Sequence, residues 1–554
     1  MKASAFLACS AVLLPALQVQ ALWPLPSSLA TGTTPLKLAH SFDIHIALPH
    51  PPADLAAAVS RTKGFLVKDK LAALVVDRGA SSANAISHAK SLPALTLTLT
   101  KGAAVNSISA EAIAPIEQRD EGYTLLVPAD GTGATLSANS TLGLFRGLAT
   151  FEQIWFELDG NTYTLEAPFT IADKPAYPYR GFMLDTARNY FAVADILRTI
   201  DAMSWVKINT LHWHMVDSQS FPVVIPGYTV LSEKGAYSPS SVYTTDDVKN
   251  IVTYAAARGI DVIPEIDTPG HTAVIASAFP EHVACPGATP WASFANEPPA
   301  GQLRFASEAT QKFTAGLLSA AAKMFPSSFF STGGDEINQN CYTQDKETQA
   351  ELAAQNKTFL QALNDFTQVN HAAIRKVGKT PVVWEEMVLA DPVDLANDTV
   401  VLVWISSDDV AAVAKAGFRV VHAASNYFYL DCGHGGWVGN FPAGNSWCDP
   451  YKTWQSMYSF DPLANLTEAQ HSLVLGGQSL LWTEQSSPAN LDSTVWPRAA
   501  SPAELYWSGP GGDVEKALPR LHEVVYRFRA RGVAANSLQP EWCVLRPGAC
   551  DLTA

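Results

Sequence analysis

The pattern of apolar and polar residues divides the chain into two parts. Between residues 22 and 175, short apolar or alternating runs predict β-strands. One run, Thr141–Trp155, instead has apolar residues at helical spacing, with Ser140 or Thr141 as its cap. The pattern predicts a small α+β domain over residues 22–175. Its predicted strands are Phe42–Leu48, Leu71–Val76, Leu95–Thr100, Gly122–Pro128 and Ala134–Ala138, the last two forming a hairpin around Asp130-Gly131.

From Tyr179 onward, apolar runs that predict strands alternate with helical patterns such as Val193–Val206, Ala309–Met324 and Glu347–Val377. This alternation predicts an α/β fold, a (β/α)8 TIM barrel with a C-terminal extension over residues 176–554. Fewer strands in a doubly wound sheet is the alternative. The predicted strands are Gly181–Leu184, Ile208–His212, Gly259–Pro264, Phe329–Thr332, Thr380–Val383, Thr399–Val403, Phe418–His422 and Val474–Leu481.

Composition supports a globular, two-domain protein. The chain has 554 residues, of which 47% are hydrophobic and 16% are charged, so disorder is not expected. The formal net charge of −15, without a basic stripe, argues against nucleic acid as a partner.

The first residues resemble a secretory signal peptide. Met1-Lys2 precedes an apolar run from Ala5 to Leu17, and Val19-Gln20-Ala21 offers a small-residue cleavage site. The run is short for a membrane anchor, and no later stretch is long and apolar enough to cross a bilayer. We therefore predict that residues 1–21 are a signal peptide and that the protein is secreted, extracellular and without a membrane partner.

The cysteines and sequons agree with this compartment. Of seven cysteines, Cys9 lies in the leader, and an even number in a secreted chain suggests disulfides. Sequence proximity favours the pairs Cys432–Cys448 and Cys543–Cys550, which leaves Cys285–Cys341. Candidate glycosylation sites are Asn139, Asn356, Asn397 and Asn465.

The stretch from Ser331 to Ile337 carries the strongest chemical signal. Gly333-Gly334 allows a tight turn, and Asp335-Glu336 follows where a strand would end. Crowded carboxylates repel, so we expect one of them to hold its proton near neutral pH. A Glu that holds its proton can act as a general acid. A glycine turn with two solvated acids is the plainer interpretation.

Polar or aromatic residues follow all eight predicted barrel strands, at the rim where barrel enzymes build active sites. They are Asp185 and Arg188; His212, His214 and Asp217; Glu265, Asp267 and His271; Asp335 and Glu336; Trp384 and Glu385; Trp404; Tyr429 and Asp431; and Trp482 and Glu484.

The paired histidines, His212 and His214, allow three interpretations. With Asp217 and His271 they could form the zinc site of a metal-dependent barrel hydrolase. They could instead support the catalytic acid through hydrogen bonds, which we favour, or they could be ordinary core histidines.

Three tryptophans at strand ends suggest an aromatic pocket for a sugar ring and its apolar substituent. They are Trp384, Trp404 and Trp482. Arg180, before the first barrel strand, could bind sugar hydroxyls, although a surface salt bridge is its plainer role.

Taken together and in order, these motifs resemble glycoside hydrolase family 20, the β-N-acetylhexosaminidases, and in particular secreted, fungal-type members. The N-terminal segment also resembles that family's small α+β domain. One departure is Ser331, which stands where many members carry His. The matching motifs are Tyr179-Arg180-Gly181, Leu184–Arg188, His212-Trp213-His214 with Asp217, Pro264–His271, Gly333–Glu336, Trp384-Glu385-Glu386, Tyr429 with Asp431, Trp482-Thr483-Glu484 and Trp496-Pro497-Arg498.

The resemblance implies a role for each matching residue. Glu336 would be the general acid/base, Asp335 would orient and stabilise the substrate's acetamido group, and Tyr429 would donate to the acetamido oxygen. The other implied roles are the acetamido pocket for Trp384, Trp404 and Trp482, sugar hydroxyl contacts for Arg180, Glu484 and Asp431, and a relay behind Glu336 for Asp217 and His271.

The resemblance implies an exo-acting, retaining β-N-acetylhexosaminidase that releases terminal N-acetylglucosamine or N-acetylgalactosamine through an oxazolinium intermediate. No metal or organic cofactor is expected, and a homodimer is kept as a candidate assembly. A metal-dependent hydrolase and a non-catalytic carbohydrate-binding barrel are the alternatives; the intact Asp335-Glu336 pair speaks against the latter.

Overall fold

A computed structural model describes residues 22–554, so the predicted signal peptide lies outside the described residues. Its first part is a mixed sheet of six strands, in the order β1-β2-β4-β3-β6-β5, with β1 also paired to β6. These strands are β1 (Ser28–Ile46), β2 (Lys90–Leu99), β3 (Tyr123–Val127), β4 (Ala134–Ala138), β5 (Phe156–Leu158) and β6 (Asn161–Asp173).

The predicted hairpin is present as the antiparallel pair β3–β4. The predicted helix is α4 (Thr141–Phe151), and Ser140 caps it by accepting a hydrogen bond from the Gly143 N–H. Every residue of α4 is buried. It packs on the sheet, and the Arg146 guanidinium donates to the Gly259 carbonyl at the foot of the barrel.

The strand predicted at Leu71–Val76 is wrong. This segment is irregular and links α1 (Ala53–Lys68) to the next helix. Leu74 is buried, but Val75 and Val76 are 39% and 57% exposed, so the apolar run has no sheet to cover. The sequence also underestimated β1, which begins at Ser28 rather than Phe42, and missed β5 and β6.

The second part is a closed barrel of eight strands, which confirms the predicted TIM barrel and excludes the doubly wound alternative. Each predicted strand overlaps an observed one, and neighbouring strands pair in parallel. The barrel strands are β7 (Tyr179–Asp185), β8 (Thr210–Val216), β9 (Asp261–Ile266), β12 (Phe329–Ser331), β13 (Thr380–Trp384), β14 (Val400–Val403), β15 (Arg419–His422) and β16 (Val474–Leu481); β10 (Val283–Ala284) and β11 (Gln302–Leu303) form a small hairpin in the loop after β9.

The helix predicted over Glu347–Val377 is two helices. Asn356 adopts a left-handed conformation that ends the first, and a capping box at Thr358 begins the second. The α-helices are α1 (Ala53–Lys68), α2 (Ala83–Ser87), α3 (Ile108–Ala112), α4 (Thr141–Phe151), α5 (Val193–Trp205), α6 (Thr229–Gly235), α7 (Thr245–Ala256), α8 (Glu308–Ala322), α9 (Gln339–Gln344), α10 (Lys346–Gln355), α11 (Phe359–Lys376), α12 (Glu386–Leu389), α13 (Val410–Lys415), α14 (Ser425–Phe428), α15 (Trp454–Tyr458), α16 (Leu491–Val495), α17 (Ala500–Ser508), α18 (Val514–Ala530) and α19 (Glu541–Val544).

A buried ion network joins the two parts at the amino ends of the barrel strands. The Arg180 guanidinium donates to Glu121 at 2.6 Å and to the carbonyls of Lys207 and Tyr177, each at 2.9 Å. Arg146 binds the same carboxylate at 2.7 Å. Because Arg180 is fully buried at the end of the barrel opposite the rim, the sugar-binding role predicted for it is wrong. It fastens the N-terminal sheet to the barrel.

All three predicted disulfides are present, Cys285–Cys341 and Cys432–Cys448 in rim loops and Cys543–Cys550 in the C-terminal extension. The four candidate glycosylation sites, Asn139, Asn356, Asn397 and Asn465, are exposed. Among residues 22–554, none of the helices combines the length and apolarity needed to span a bilayer.

Candidate active site

A cavity of about 640 Å³ opens at the carboxyl ends of the barrel strands. Loops after β9, β12, β14, β15 and β16 bring its lining together, as expected for a barrel rim. The predicted residues that line it are Asp335, Glu336, Trp404, Tyr429, Asp431, Trp482, Glu484 and His271.

The turn after β12 presents the two central carboxylates. Gly333 and Gly334 both have positive φ angles, 64° and 103°, which glycine adopts without strain. A Cβ on Gly333 would lie 2.1 Å from the Asp267 carboxyl carbon, so a side chain has no room there. The Gly334 N–H donates to Asp267 at 2.7 Å. Asp267 therefore fixes the turn that carries Asp335 and Glu336.

A relay of oppositely charged side chains runs from Asp217 through His271 to Glu336. Asp217 lies 3.2 Å from His271 Nδ1, and His271 Nε2 lies 3.4 Å from the Glu336 carboxylate. Burial disfavours the His271 cation, but the charge of Asp217 outweighs it and raises the pKa of His271 well above its usual value. Burial likewise opposes ionisation of Glu336, but His271 outweighs that effect and lowers the pKa of Glu336.

Asp335 has the opposite tendency. It is buried, and burial together with the neighbouring Asp267 carboxylate raises the pKa of Asp335 well above its usual value. Burial also raises the pKa of Asp267 to about 7. The expectation that one of the two adjacent acids holds a proton therefore applies to Asp335. In the free protein these pKa directions favour the proton on Asp335 over Glu336: Asp267 stands beside Asp335, while His271 lies 3.4 Å from Glu336 and 3.7 Å from Asp335.

The two histidines of β8 support the site through hydrogen bonds. His214 contacts Glu265 at 2.6 Å and Asp217 at 2.9 Å, while His212 contacts Glu265 at 3.0 Å and Gln478 at 3.1 Å. Both nitrogens of each ring are thus engaged, which disfavours the zinc-site interpretation. Hydrogen bonds that His214 donates to the carboxylates of Asp217 and Glu265 outweigh burial and raise the pKa of His214 to about 9.

Ser331, the departure from the family pattern, is part of this network. Its hydroxyl donates to the Glu265 carboxylate, which is buried at the centre of the barrel. Ser331 thus supplies a further donor to Glu265.

Aromatic rings form one side of the cavity. Trp404 and Tyr429 are nearly parallel, with ring centroids 6.3 Å apart, and Trp482 lies 6.3 Å from Tyr429. Trp384 differs from the prediction: it is fully buried, between His212 and Trp482, with centroids 5.8 and 6.2 Å away. It supports Trp482 from behind.

Arg188 also lines the cavity, although no role was predicted for it from the sequence. Its guanidinium contacts Asp217 at 3.0 Å and Glu297 at 2.9 Å, and it lies 4.9 Å from the ring centre of Trp482. Near it are Asp431 and Glu484, both of whose pKa values are raised, chiefly by burial; the pKa of Asp431 reaches about 7. Arg188 was visible in the sequence as a strand-end residue.

Several cavity residues lie on two rim loops for which the sequence analysis proposed no function. One loop follows β9 and the other is closed by the Cys432–Cys448 disulfide. Their only signal was the presence of tryptophans in loops. They are Trp291, Asn296, Glu297, Trp437 and Trp447.

A barrel rim with paired carboxylates, a carboxylate–histidine relay and aromatic walls is the site of a glycoside hydrolase, and comparison with known proteins identifies the family. The family model "Glycosyl hydrolase family 20, catalytic domain" matches residues 177–510. A second model, "beta-acetyl hexosaminidase like", matches residues 22–154. The chain therefore belongs to glycosyl hydrolase family 20, and it is a glycoside hydrolase of the β-N-acetylhexosaminidase class.

Curated relatives and a solved structure agree. The chain is 37% identical over 453 residues to a chitooligosaccharidolytic β-N-acetylglucosaminidase of Bombyx mori, covering 78% of this chain and 75% of the relative. It is 35% identical over 461 residues to a β-hexosaminidase of Arthroderma benhamiae, covering 78% and 74%. The chitobiase of Flavobacterium johnsoniae superimposes with a TM-score of 0.74 at 26% identity, covering 93% of this chain and 73% of that one.

Proposed function

We propose that the protein is an exo-acting, retaining β-N-acetylhexosaminidase. It releases terminal β-linked N-acetylglucosamine or N-acetylgalactosamine from chitooligosaccharides or glycoconjugates. The names of the relatives support this substrate class, since one of them acts on chitooligosaccharides.

The observation that carries the mechanism is the placement of Asp335 and Glu336 on one turn. Retaining glycosidases with two carboxylates set them on opposite faces of the anomeric carbon, one as acid and one as nucleophile. Adjacent residues of one turn, with Asp335 buried against Asp267, do not suit that arrangement. Family 20 is a substrate-assisted exception, in which the acetamido group of the substrate supplies the nucleophile.

In the proposed reaction, Glu336 protonates the glycosidic oxygen while the acetamido oxygen attacks the anomeric carbon. The product is a bicyclic oxazolinium, whose positive charge Asp335 stabilises and whose oxygen Tyr429 holds through its hydroxyl. Glu336, now a carboxylate, deprotonates the water that opens the ring, so the configuration is retained.

The remaining cavity residues would bind the sugar. Trp404 and Trp482 enclose the acetamido group, and Arg188, Asp431 and Glu484 lie where hydroxyls of a terminal ring would need partners. These polar groups, of which Arg188 is buried and Asp431 and Glu484 are half-buried, favour a chain end over a chain interior, which supports exo action.

Substrate binding must redistribute protons. In the free protein the pKa of Asp335 is raised and that of Glu336 is lowered. The mechanism needs the reverse, an ionised Asp335 and a protonated Glu336. An acetamido N–H that donates to Asp335 favours its ionised form, and loss of water around Glu336 favours its neutral form.

The variant Glu336→Gln tests the central assignment. We expect kcat on chitobiose to fall by about 100- to 10,000-fold, the usual contribution of general acid–base catalysis. A 2,4-dinitrophenyl glycoside, whose leaving group needs no proton, should lose far less in the bond-breaking step. Unchanged turnover of chitobiose would refute the role of Glu336.

Two further assays address the substrate's own role. A chromogenic β-glucoside without the acetamido group should not be hydrolysed at a comparable rate, and the first-formed sugar should be the β-anomer by NMR. Equal hydrolysis of the glucoside would contradict substrate assistance. A chelator should leave activity unchanged, whereas the metal-dependent alternative requires a loss.

Secretion is also proposed. The leader-like N-terminus, the three disulfides and the exposed sequons support it. Expression in a eukaryotic host tests it: the protein should appear in the medium and lose mass on treatment with an N-glycosidase, whereas retention in the cytosol would refute it.

A further inference from the structure

We propose that Glu386 is a positioning residue that fixes the indole ring of Trp404 and thereby sets how closely the pocket fits the acyl group of the substrate. The inference rests on the proposed function, because it concerns the same pocket and names a residue that determines its selectivity.

The contact between the two residues is direct and two-fold. Trp404 Nε1 lies 3.0 Å from Glu386 Oε1 and 2.9 Å from Oε2. An indole has one donor and no acceptor, so this carboxylate is the polar anchor of the ring. Both residues are nearly buried, with exposures of 9% for Trp404 and 8% for Glu386. Bulk water is therefore a poor substitute for the carboxylate.

A second carboxylate holds the backbone of the same tryptophan. The Trp404 main-chain N–H donates to Glu385 Oε2 at 2.9 Å. Glu385 and Glu386 are consecutive residues after β13, and Trp404 follows β14, the adjacent strand. Glu385 thus holds the main chain of Trp404, and Glu386 holds its ring. Separate substitutions of the two acids can therefore remove the two contacts one at a time.

The ring needs such an anchor because its other contacts leave its tilt free. Tyr429 lies nearly parallel to Trp404, at an interplanar angle of 12°, and Trp447 meets it edge-on at 84°. Trp447 is 68% exposed and packs loosely. Aromatic stacking tolerates sliding and rotation over a range of geometries, whereas a carboxylate that accepts the indole N–H sets one orientation.

The position of Glu386 also ties the tryptophan to the catalytic turn. The next residue, Met387, packs against Gly334: a Cβ built there would lie 2.5 Å from Met387 Cγ. Burial, followed by the nearby Asp335, raises the pKa of Glu386 to about 8. Burial and a neighbouring acid make this an unfavourable position for a carboxyl group, and the hydrogen bond to Trp404 gives a reason for its presence.

A double-mutant cycle tests the inference. The variants are Glu386→Ala, Glu386→Gln and Trp404→Phe, with Glu386→Ala also made in the Trp404→Phe background. Each is assayed on a pair of chromogenic glycosides, one with the natural acetamido group and one with a butanamido group. The measured quantity is the ratio of kcat/KM for the two substrates.

We expect Glu386→Ala to lower kcat/KM for the acetamido substrate about tenfold, as for an indole N–H left buried without an acceptor, and to bring the ratio of acetamido to butanamido kcat/KM closer to one. Glu386→Gln retains one acceptor oxygen, so its ratio of kcat/KM for the two substrates should lie close to that of the wild type. In the Trp404→Phe background, where the indole N–H is absent, Glu386→Ala should not change this ratio further.

Glu385→Gln is the matched control, because its partner is a backbone N–H that Trp404→Phe leaves in place. Its effect should therefore be the same in both backgrounds. Equal effects of Glu386→Ala in both backgrounds, or an unchanged substrate ratio in Glu386→Ala, would overturn the inference. If Glu386→Ala does not fold, the test uses Trp404→Phe alone. A wild-type ratio of kcat/KM for the two substrates in that variant would also overturn the inference.

Failure of the proposed function gives a different result. A wild-type protein that does not cleave the acetamido substrate refutes the function before any variant is made. The inference would then be tested by calorimetry with N-acetylglucosamine, whose affinity should fall in Glu386→Ala and recover in Glu386→Gln. Equal affinities in the two variants and the wild type would overturn it.

Discussion

Replacing Asp217 with Asn should move the alkaline limb of the kcat/KM profile to lower pH. Asp217 contacts His271, which contacts Glu336, so His271 and Glu336 share their protons and titrate as a pair. Asn keeps an acceptor for the His271 Nδ1–H and nearly the same shape, but it removes a negative charge. A lost negative charge lowers the proton affinity of every group nearby. In the proposed mechanism the pair lends a proton to the leaving group, and that proton is therefore lost at a lower pH.

The magnitude follows from the distance. Two charges 3.2 Å apart interact by about 5 kcal/mol at an effective dielectric constant of 20, and by about 1 kcal/mol at the value of water. At 1.36 kcal/mol per unit, these limits correspond to pKa shifts of about 4 and about 1. Arg188 and His214 also contact Asp217 and offset part of its charge, so we expect a shift toward the lower limit.

The assay is kcat/KM against pH for a substrate with a poor leaving group, such as chitobiose, since protonation matters most there. Asp201→Asn is the control: Asp201, on α5 and away from the rim, pairs with Arg258, which follows α7, and its removal should leave the profile in place. A folded Asp217→Asn protein whose alkaline limb stays fixed, or moves to higher pH, would refute the coupling of Asp217 to Glu336 through His271.

Other predictions concern the second acid and the foot of the barrel. Asp267→Asn keeps an acceptor for the Gly334 N–H but removes the charge that raises the pKa of Asp335. Because the proposed mechanism needs Asp335 ionised, the acid limb of kcat/KM should move to lower pH, and a shift to higher pH would contradict this. Arg180→Ala should lower the free energy of unfolding by about 3–5 kcal/mol, since it leaves Glu121 buried with one fewer partner. Its KM should be unchanged in the folded protein, whereas a sugar-binding Arg180 would require a higher KM.

The barrel was predictable because its strands are buried on both faces. Such strands appear as short continuous apolar runs, and all eight were located within a few residues. The N-terminal sheet was harder. β1 has mostly half-exposed positions, so its polar first half gave no apolar pattern. Conversely, Leu71–Val76 is apolar but meets β5 through a single backbone hydrogen bond, from the Glu157 N–H to the Leu71 carbonyl, and local sequence does not reveal that no ladder forms.

Two arginines, one at the start of the first barrel strand and one just after its end, show why site assignment needs direction along the chain. Arg180 and Arg188 are eight positions apart, which in an extended chain is about 25 Å. One must lie at the foot of the barrel if the other lies at the rim. The family motif contains both, and the choice between them follows from the rule that the rim is at the carboxyl ends.

The positions of the protons could not be predicted from sequence because they depend on residues from other strands. Asp335 and Glu336 are neighbours in one turn, yet their pKa values move in opposite directions. The difference arises because the Asp267 carboxylate stands beside Asp335, whereas His271, from the same loop after β9, lies close to both acids, 3.4 Å from Glu336 and 3.7 Å from Asp335. Under the proposed mechanism this resting arrangement is inactive, and an acetamido N–H donating to Asp335 helps to reverse it. A glucoside would then lack both the nucleophile and the group that prepares the acid, so selectivity for N-acetylated sugars would be built into the protonation of the site as well as into the shape of its aromatic pocket.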